Sequence, residues 1–286
     1  MLQNAFIKYL ENLLSEKVIS TAYISGGDIS EAFYIETEKQ KYFLKTNTLD
    51  KLKMFDLEAK GLQAIAKTNT IATPKIYQSS TFSNSSYLLM EWIESKPASN
   101  QDFQTLGKRL AQLHNTSTDS FGFEHNNFIG SLSQSNKKHL SWTDFYIKER
   151  LQKQLDLANA SNLLSTNEIP TTSTMQEVLQ PLFQNIKPSL LHGDLWSGNY
   201  LMSSKGVPYL IDPAVYYGHG EIDIAMTKLF GGFSNAFYEA YFNSIPPDTN
   251  TNLRIEIYQL YYLLVHLNLF GKSYYGSVTS ILRKFF

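Results

Sequence analysis

The segment from His192 to Asp212 constrains this chain more than any other. It reads His192-Gly193-Asp194-Leu195-Trp196-Ser197-Gly198-Asn199, a strand-like run Tyr200–Met202, a turn Ser203-Ser204-Lys205-Gly206, a second run over 207–211, and then Asp212. Two short apolar runs around a glycine-containing turn make a hairpin. A hairpin reverses the chain, so Asn199 entering it and Asp212 leaving it lie side by side. Two side-chain oxygens converging at one point suit magnesium, a hard cation that shares its sphere with phosphate and water. Asp194 stands one loop away. Each of these residues alone is more simply a turn former; the three around one hairpin specify a site.

The first third of the chain has a different pattern. Runs at 21–25, Glu31–Thr37 and 41–46 are rich in β-branched and aromatic residues, and turn-forming stretches separate them, among them Gly26-Gly27-Asp28. Residues 51–67 carry Leu52, Phe55, Leu62 and Ile65 at helical spacing, and Pro74 follows. Strands at 77–82 and 87–92 complete the order strand, strand, strand, helix, strand, strand. Beyond Pro97 the chain reads as mainly helical. Phe103, Leu106, Leu110 and Leu113 mark one helix with Ser99 or Asn100 as its cap. Another is expected over 143–160, and several more from Glu221 onward, with 161–174 expected as a polar loop. The N-terminal residues Leu2, Phe6, Tyr9, Leu10, Leu13 and Leu14 recur at helical spacing. The expected fold class is α+β: a small antiparallel-sheet lobe with one helix over 1–94, and a larger, mainly helical lobe over 95–286.

Asp194 and Asn199 stand at the D-x-x-x-x-N spacing of a phosphotransferase catalytic loop. In that reading Asp194 orients the substrate hydroxyl and Asn199 and Asp212 hold magnesium. The first third supplies the complement. Gly26 and Gly27 leave backbone amides free to close over phosphates. Lys45 lies on the strand 41–46 and shares a face with Phe43. A lysine among aromatics is costly unless paired, and Glu58 on the following helix is its natural partner. Glu91 ends an apolar strand where backbone groups can bond an adenine, and Ile211, next to Asp212, is assigned to the nucleotide side of the same site.

Composition removes other classes. The 286 residues contain no cysteine, which excludes disulfides, cysteine zinc sites and a thiol nucleophile. A formal net charge of −1 gives no global field for nucleic acid or an anionic membrane, and the six histidines are scattered without metal-ligand spacing. The N-terminus has no basic region followed by an unbroken apolar stretch, so it does not read as a signal peptide. The apolar stretch 257–270 is interrupted by Gln259, His266 and Asn268 and falls short of the roughly 20 residues of a membrane span, so it reads as a core helix. A cytoplasmic protein is expected, with its oligomeric state left open.

The residues 191–199, together with Ile211-Asp212-Pro213-Ala214-Val215-Tyr216-Tyr217-Gly218-His219-Gly220-Glu221-Ile222-Asp223-Ile224-Ala225, resemble the fructosamine kinase (ketosamine-3-kinase) family. Residues 26–32 resemble that family's phosphate loop, and Met54-Phe55-Asp56-Leu57-Glu58 its helix glutamate. The resemblance implies a two-lobed protein-kinase-like fold. It implies Asp194 as catalytic base, Asn199 and Asp212 on magnesium, and Lys45 with Glu58 on the phosphates of ATP. The implied substrate is a small-molecule or protein-bound sugar–amine adduct, a fructosamine or ribulosamine, phosphorylated on its 3-hydroxyl so that the adduct becomes labile. Asp28 stands where several members have a small residue or cysteine, and Ser197 where glycine is common. Trp196 is a candidate for the sugar, with core packing as the alternative, and Tyr217 and His219, beside Tyr216, are candidates for the same pocket. Asp223 is expected to hydrogen-bond the catalytic loop. An aminoglycoside- or choline-type kinase would share this chemistry, and an inactive nucleotide-binding scaffold is the rival from another class. Pro213-Ala214 after Asp212, in place of Phe-Gly, disfavours a protein kinase.

Overall fold

The computed structural model describes residues 2–25 and 30–286. Its first part is one antiparallel sheet built from β1 (Val18–Ile24), β2 (Glu31–Thr37), β3 (Lys41–Thr48), β4 (Ile76–Phe82) and β5 (Ser85–Glu91), in the order β1-β2-β3-β5-β4. The period of two along each strand sorts its side chains to two faces. Phe33, Ile35, Tyr42, Leu44, Tyr87 and Leu89 point one way and pack on Phe6 and Leu10 of α1 (Asn4–Leu14). Phe43, Leu88 and Met90 point the other way, onto Phe55, Ala59 and Leu62 of α2 (Leu52–Lys67). Truncating a fully buried leucine such as Leu62 would cost about 2–5 kcal/mol. Lys45 has the parity of Phe43, so it must emerge on the α2 side of the sheet.

Beyond the sheet the chain is mainly helical, with short two-stranded ladders set into it. α3 (Asn100–His114) begins with a capping box in which Ser99 and Asp102 bond each other's backbone amides. A hairpin of β6 (Asn127–Ile129) and β7 (Leu132–Gln134) follows. α4 (Trp142–Phe145) runs through a π-helical turn, Tyr146–Leu151, into α5 (Gln152–Ala160). Next come α6 (Thr172–Leu182), β8 (Ser189–Leu191), β9 (Tyr200–Met202), β10 (Pro208–Leu210) and β11 (Tyr216–Gly218). β9 pairs with β10, and β8 with β11. The chain closes with α7 (Glu221–Phe230), α8 (Asn235–Ser244), α9 (Thr251–Phe270) and α10 (Tyr275–Phe285). One continuous apolar core joins these helices, reaching from Ile65 and Ile71 to Leu282. The sheet-plus-helices arrangement is the two-lobed protein-kinase-like fold.

Two regions differ from the sequence expectation. Residues 161–171 are irregular apart from a 3-10 turn at Thr166–Glu168, but Thr171 caps α6, so helix replaces loop from Thr172 on. The run Thr171-Thr172-Ser173-Thr174 reads as polar loop because Thr171 is a cap, and only Met175 and Leu179 of α6 are buried. The three-residue ladders β6–β7 and β8–β11 are too short to show alternation. As expected for a core helix, α9 is buried on most of its circumference. No helix among the described residues is long and apolar enough to cross a membrane.

Candidate active site

Lys45 leaves β3 toward α2 and meets Glu58 there, its Nζ donating to Glu58 Oε1 at 2.7 Å. The same Nζ also donates to Asp212 Oδ1. One lysine thus ties the sheet, the helix and the strand leaving the hairpin. Burial alone would lower the lysine pKa, but the two carboxylates outweigh it and raise it above its usual range. Glu58 is pushed up by burial and by the neighbouring Asp212 charge, against the pull of Lys45. Asp212 lies lower than usual because Lys45 overcomes its own desolvation. Asp212 sits at φ +52°, in the left-handed region that a non-glycine residue enters at a cost. Gly61 of α2 packs so closely on Pro213 and Val215 that an added Cβ would lie 3.2 Å from the proline ring.

The hairpin does bring Asn199 and Asp212 together along the backbone. Leu210 pairs with Tyr200, and the Ile211 N–H donates to the Asn199 carbonyl at 3.1 Å. Asn199 Nδ2 donates to the Asp194 carbonyl at 2.8 Å and to Asp194 Oδ2 at 3.2 Å. Its amide is thereby oriented, and Oδ1 is the end turned away from Asp194. That amide oxygen and the Asp212 carboxylate, whose side chain is 40% exposed, are the hard oxygen donor types that fit magnesium. Asp194 itself is raised to about 7, first by burial and then by the charges of Asp212 and Asp223, with Asn199 acting in the opposite sense.

The loop is held from below. The amides of His192 and Gly193 donate to the two oxygens of buried Asp223, at 2.8 and 2.9 Å. Asp223 also bonds His114 Nε2 at 3.1 Å, and His114 Nδ1 lies 2.8 Å from Tyr241 Oη. The His192 ring spans the loop, with Nε2 on the Ile211 carbonyl at 2.8 Å and Nδ1 accepting the Asp194 amide at 3.3 Å. Burial lowers its pKa, which fits this neutral arrangement. Gly193 has φ +86°, and a Cβ there would come within 2.2 Å of the Ala214 carbonyl oxygen, so only glycine fits. Tyr262 of α9 donates to the Gly193 carbonyl at 3.1 Å.

The remaining sequence candidates separate. Glu91 ends β5, and both its N–H and its carboxylate engage the backbone of Lys75, which ties β5 to the residues before β4. Ile211 bridges His192 and Asn199 as described. Gly26 and Gly27 lie outside the described residues. Trp196, 41% exposed, lays its indole over Gly198 beside the catalytic loop, which is not the core-packing alternative. Tyr217 and His219 are carried away from Asp194. The Ala214 N–H bonds the His192 carbonyl and the chain then runs through β11 antiparallel to β8, so Tyr217 and His219 stand three and five residues beyond Ala214, at about 3.3 Å each. Tyr217 leans on Phe123, and His219 bonds Tyr258 Oη at 2.9 Å and is pushed down to about 3 by burial and by Arg254 and His114. Tyr216 is buried in the core.

The sequence reading did not single out His114, Tyr262 and His266. His114 stands 109 residues before its partner Asp223, beyond the reach of any local pattern. On α9, Tyr262, His266 and Phe270 follow at intervals of four, a visible stripe. Its His266 ring lies 4.5 Å from Phe230, beside the Gly231-Gly232 turn that folds back on Ser197.

Comparison with known proteins agrees with this geometry. The family model for fructosamine kinase matches residues 2–286. A Lactiplantibacillus plantarum protein named as a probable ketoamine kinase is 40% identical over 264 residues, 92% of each chain. A chloroplastic protein-ribulosamine 3-kinase of Arabidopsis thaliana is 38% identical over 91% of this chain and 80% of its own. A crystal structure of a protein described as a fructosamine-3-kinase from Haemophilus somnus superposes with a TM-score of 0.87 at 27% identity, covering 98% of this chain and 96% of that one. With its Lys45–Glu58 pair, its Asp194–Asn199 loop and its full length matched, the chain belongs to the fructosamine kinase family.

Proposed function

We propose that this chain transfers the γ-phosphoryl group of ATP to the 3-hydroxyl of a ketosamine, a fructosamine or ribulosamine adduct, which makes the adduct labile and restores the free amine. The observation that carries the proposal is the convergence of Lys45, Glu58 and Asp212 on one point, with Asp194 and Asn199 one hairpin away. A dependence on ATP places the reaction inside the cell, and we infer the cytoplasm.

The geometry of the described residues supports the following roles. Lys45, held by Glu58, places a positive charge for the nucleotide phosphates, and Glu91 marks the adenine end of the cleft at the close of β5. Gly26 and Gly27, outside the described residues, are assigned to the phosphates on the sequence and its family resemblance alone. Asn199 and Asp212 would hold magnesium, which when bound neutralises phosphate charge. Asp194, kept close to neutrality in its pKa, accepts the hydrogen bond of the sugar hydroxyl and takes its proton as the new O–P bond forms. Catalysis of this kind is mainly positioning and charge stabilisation. The exposed face of Trp196 packs on sugar C–H groups, and the Phe230–His266 pair lies on the neighbouring side.

The test is magnesium-dependent ATP consumption by the purified protein with fructosyl-lysine, ribulosyl-lysine, choline and an aminoglycoside, alongside Asp194→Ala. Asp194-dependent turnover of the ketosamines supports the proposal. Turnover of choline or the aminoglycoside alone would replace it with another small-molecule kinase, and no turnover of any of them would leave a nucleotide-binding scaffold.

A further inference from the structure

Arg150 lies in the π-helical turn and is fully buried, yet its partners are not carboxylates. Its Nη1 donates to the carbonyls of Ser135 and Glu149 at 2.5 and 2.9 Å, and its Nη2 to Asn136 Oδ1 at 2.8 Å. The guanidinium lies 3.8 Å from the centre of the Tyr216 ring and 4.6 Å from that of Phe145. A buried cation held by neutral groups is expensive, and π-helical turns are frequent at functional sites. The question is what this arrangement secures.

The bonds lead from Arg150 to the residues after Asp212. Asn136 Nδ2 donates to Asn127 Oδ1 at 2.9 Å, and Asn127 Nδ2 donates to the Val215 carbonyl at 2.9 Å. Gln134 Nε2 donates to Asn127 Oδ1 at 2.8 Å and to the Ala214 carbonyl at 3.1 Å, while Gln134 Oε1 accepts from Tyr261 Oη at 2.6 Å. All three amides are at most 5% exposed. They come from the β6–β7 hairpin and its flank, which makes none of the contacts described for Asp194. What the hairpin holds is the carbonyl row of Ala214 and Val215, with Arg150 stacked on Tyr216 at the end of that row. Asp212, two residues before Ala214, has the left-handed backbone that needs such restraint.

We propose that Asn127, Gln134 and Asn136, backed by Arg150, are positioning residues that hold residues 214–216, the segment leading into β11, and thereby aim the Asp212 carboxylate at the metal site. The inference rests on the metal-holding role proposed for Asp212. None of the four hydrogen-bonds to Lys45, Asp194, Asn199 or Asp212; each acts through the segment 214–216 that follows Asp212. Loss of one donor to a buried carbonyl leaves that carbonyl unsatisfied, so the strand relaxes and the metal is held less well.

The experiment compares three variants with the unaltered full chain: Gln134→Met, Asp212→Ala, and Asn268→Leu. The last breaks a partly buried amide pair to Gln154 that has no link to the strand. Mn2+ binding is titrated by electron paramagnetic resonance in the presence of ADP, thermal melting is recorded, and hydrogen exchange is followed over 211–216. Gln134→Met should weaken Mn2+ binding by roughly tenfold and speed exchange in 211–216. Asn268→Leu should lower the melting temperature with Mn2+ binding unchanged. Unchanged Mn2+ affinity in Gln134→Met, or equal loss in Asn268→Leu, would overturn the positioning role. Undiminished Mn2+ binding in Asp212→Ala would instead remove the metal reading of Asp212, and the inference with it. If Gln134→Met does not fold, Tyr261→Phe removes only the hydroxyl that holds Gln134, and about a threefold weakening is then the expected result; no weakening overturns the proposal.

Discussion

The proposed phosphoryl side and the proposed sugar side of this site are built in opposite ways. On the phosphoryl side, charges converge from distant parts of the chain, and each is met by another: Lys45 by Glu58 and Asp212, Asn199 by Asp194, and the loop amides by Asp223. On the sugar side a largely neutral surface stands half open, with Trp196 over Gly198 and Phe230 on His266. The difference has a physical origin. Buried charge and unpaired polar groups are costly, so a phosphoryl site must complete its pairing within the protein. An aromatic face needs no partner and can wait exposed for a sugar.

The largest break of this comparison is at Asp194. Asp194→Ala should cut turnover by about 10²–10⁴-fold, the range for a general base, while nucleotide binding measured by calorimetry stays near normal. Near-normal turnover in the folded variant would take Asp194 out of its role. Next in size is Glu58→Gln, which leaves Lys45 to Asp212 alone. A buried charge pair loses roughly 1–3 kcal/mol on such a change, or about fivefold to 150-fold in kcat/KM for ATP. The KM for the ketosamine should hardly move. An equal rise in both KM values would show that the two sides are not separable.

The tightness of the pairing also decided how much could be read in advance. Lys45 and Glu58 were legible because strand parity and helix spacing each placed one residue on a shared face, and an unpaired lysine there would be costly. Asn199 and Asp212 were legible because a short hairpin has only one way to return. Trp196 is a sugar candidate by adjacency to Asp194, and its exposure sets aside only the core-packing alternative. Tyr217 and His219 were drawn to the same pocket by nearness in sequence, but a strand running antiparallel to β8 carries each residue further from the loop. The direction of a three-residue strand leaves no trace in its composition. His114 and the Asn127–Gln134–Asn136 cluster are hidden for another reason: His114 pairs across 109 residues, and the three buried amides stand among exposed polar neighbours such as Asn126, Ser133 and Lys137, from which composition does not distinguish them.

The sugar side yields a smaller and sharper test. Trp196→Ala should raise the ketosamine KM by about twofold to tenfold, the worth of an aromatic contact of roughly 0.5–1.5 kcal/mol, with ATP parameters unchanged. Tyr217→Phe and His219→Gln should leave the ketosamine KM within about twofold, and His219→Gln should lower the melting temperature through its lost bond to Tyr258. If His219→Gln matched Trp196→Ala in its effect on the ketosamine KM, the pocket would extend along β11 and the present division of the site would fail.

A last test separates the two sides by stability in place of rate. Asp194 titrates at about 7 in the folded protein, against roughly 3.9 for an aspartate in the unfolded chain. The folded state therefore binds the proton more tightly than the unfolded state, and ionising Asp194 costs stability. That cost is absent below about pH 4, grows as pH rises between the two values, and is complete above about 7. Asp194→Asn keeps the shape and removes the charge. At pH 8 it should raise the melting temperature by about 2–4 °C for each kcal/mol relieved, and at pH 4 the gain should vanish. Trp196→Ala should show no such pH-dependent gain, because an indole stores no electrostatic strain. A gain in Asp194→Asn that persists unchanged at pH 4 would mean that neither burial nor the charges of Asp212 and Asp223 raise Asp194. The phosphoryl side would then be no more strained than the sugar side.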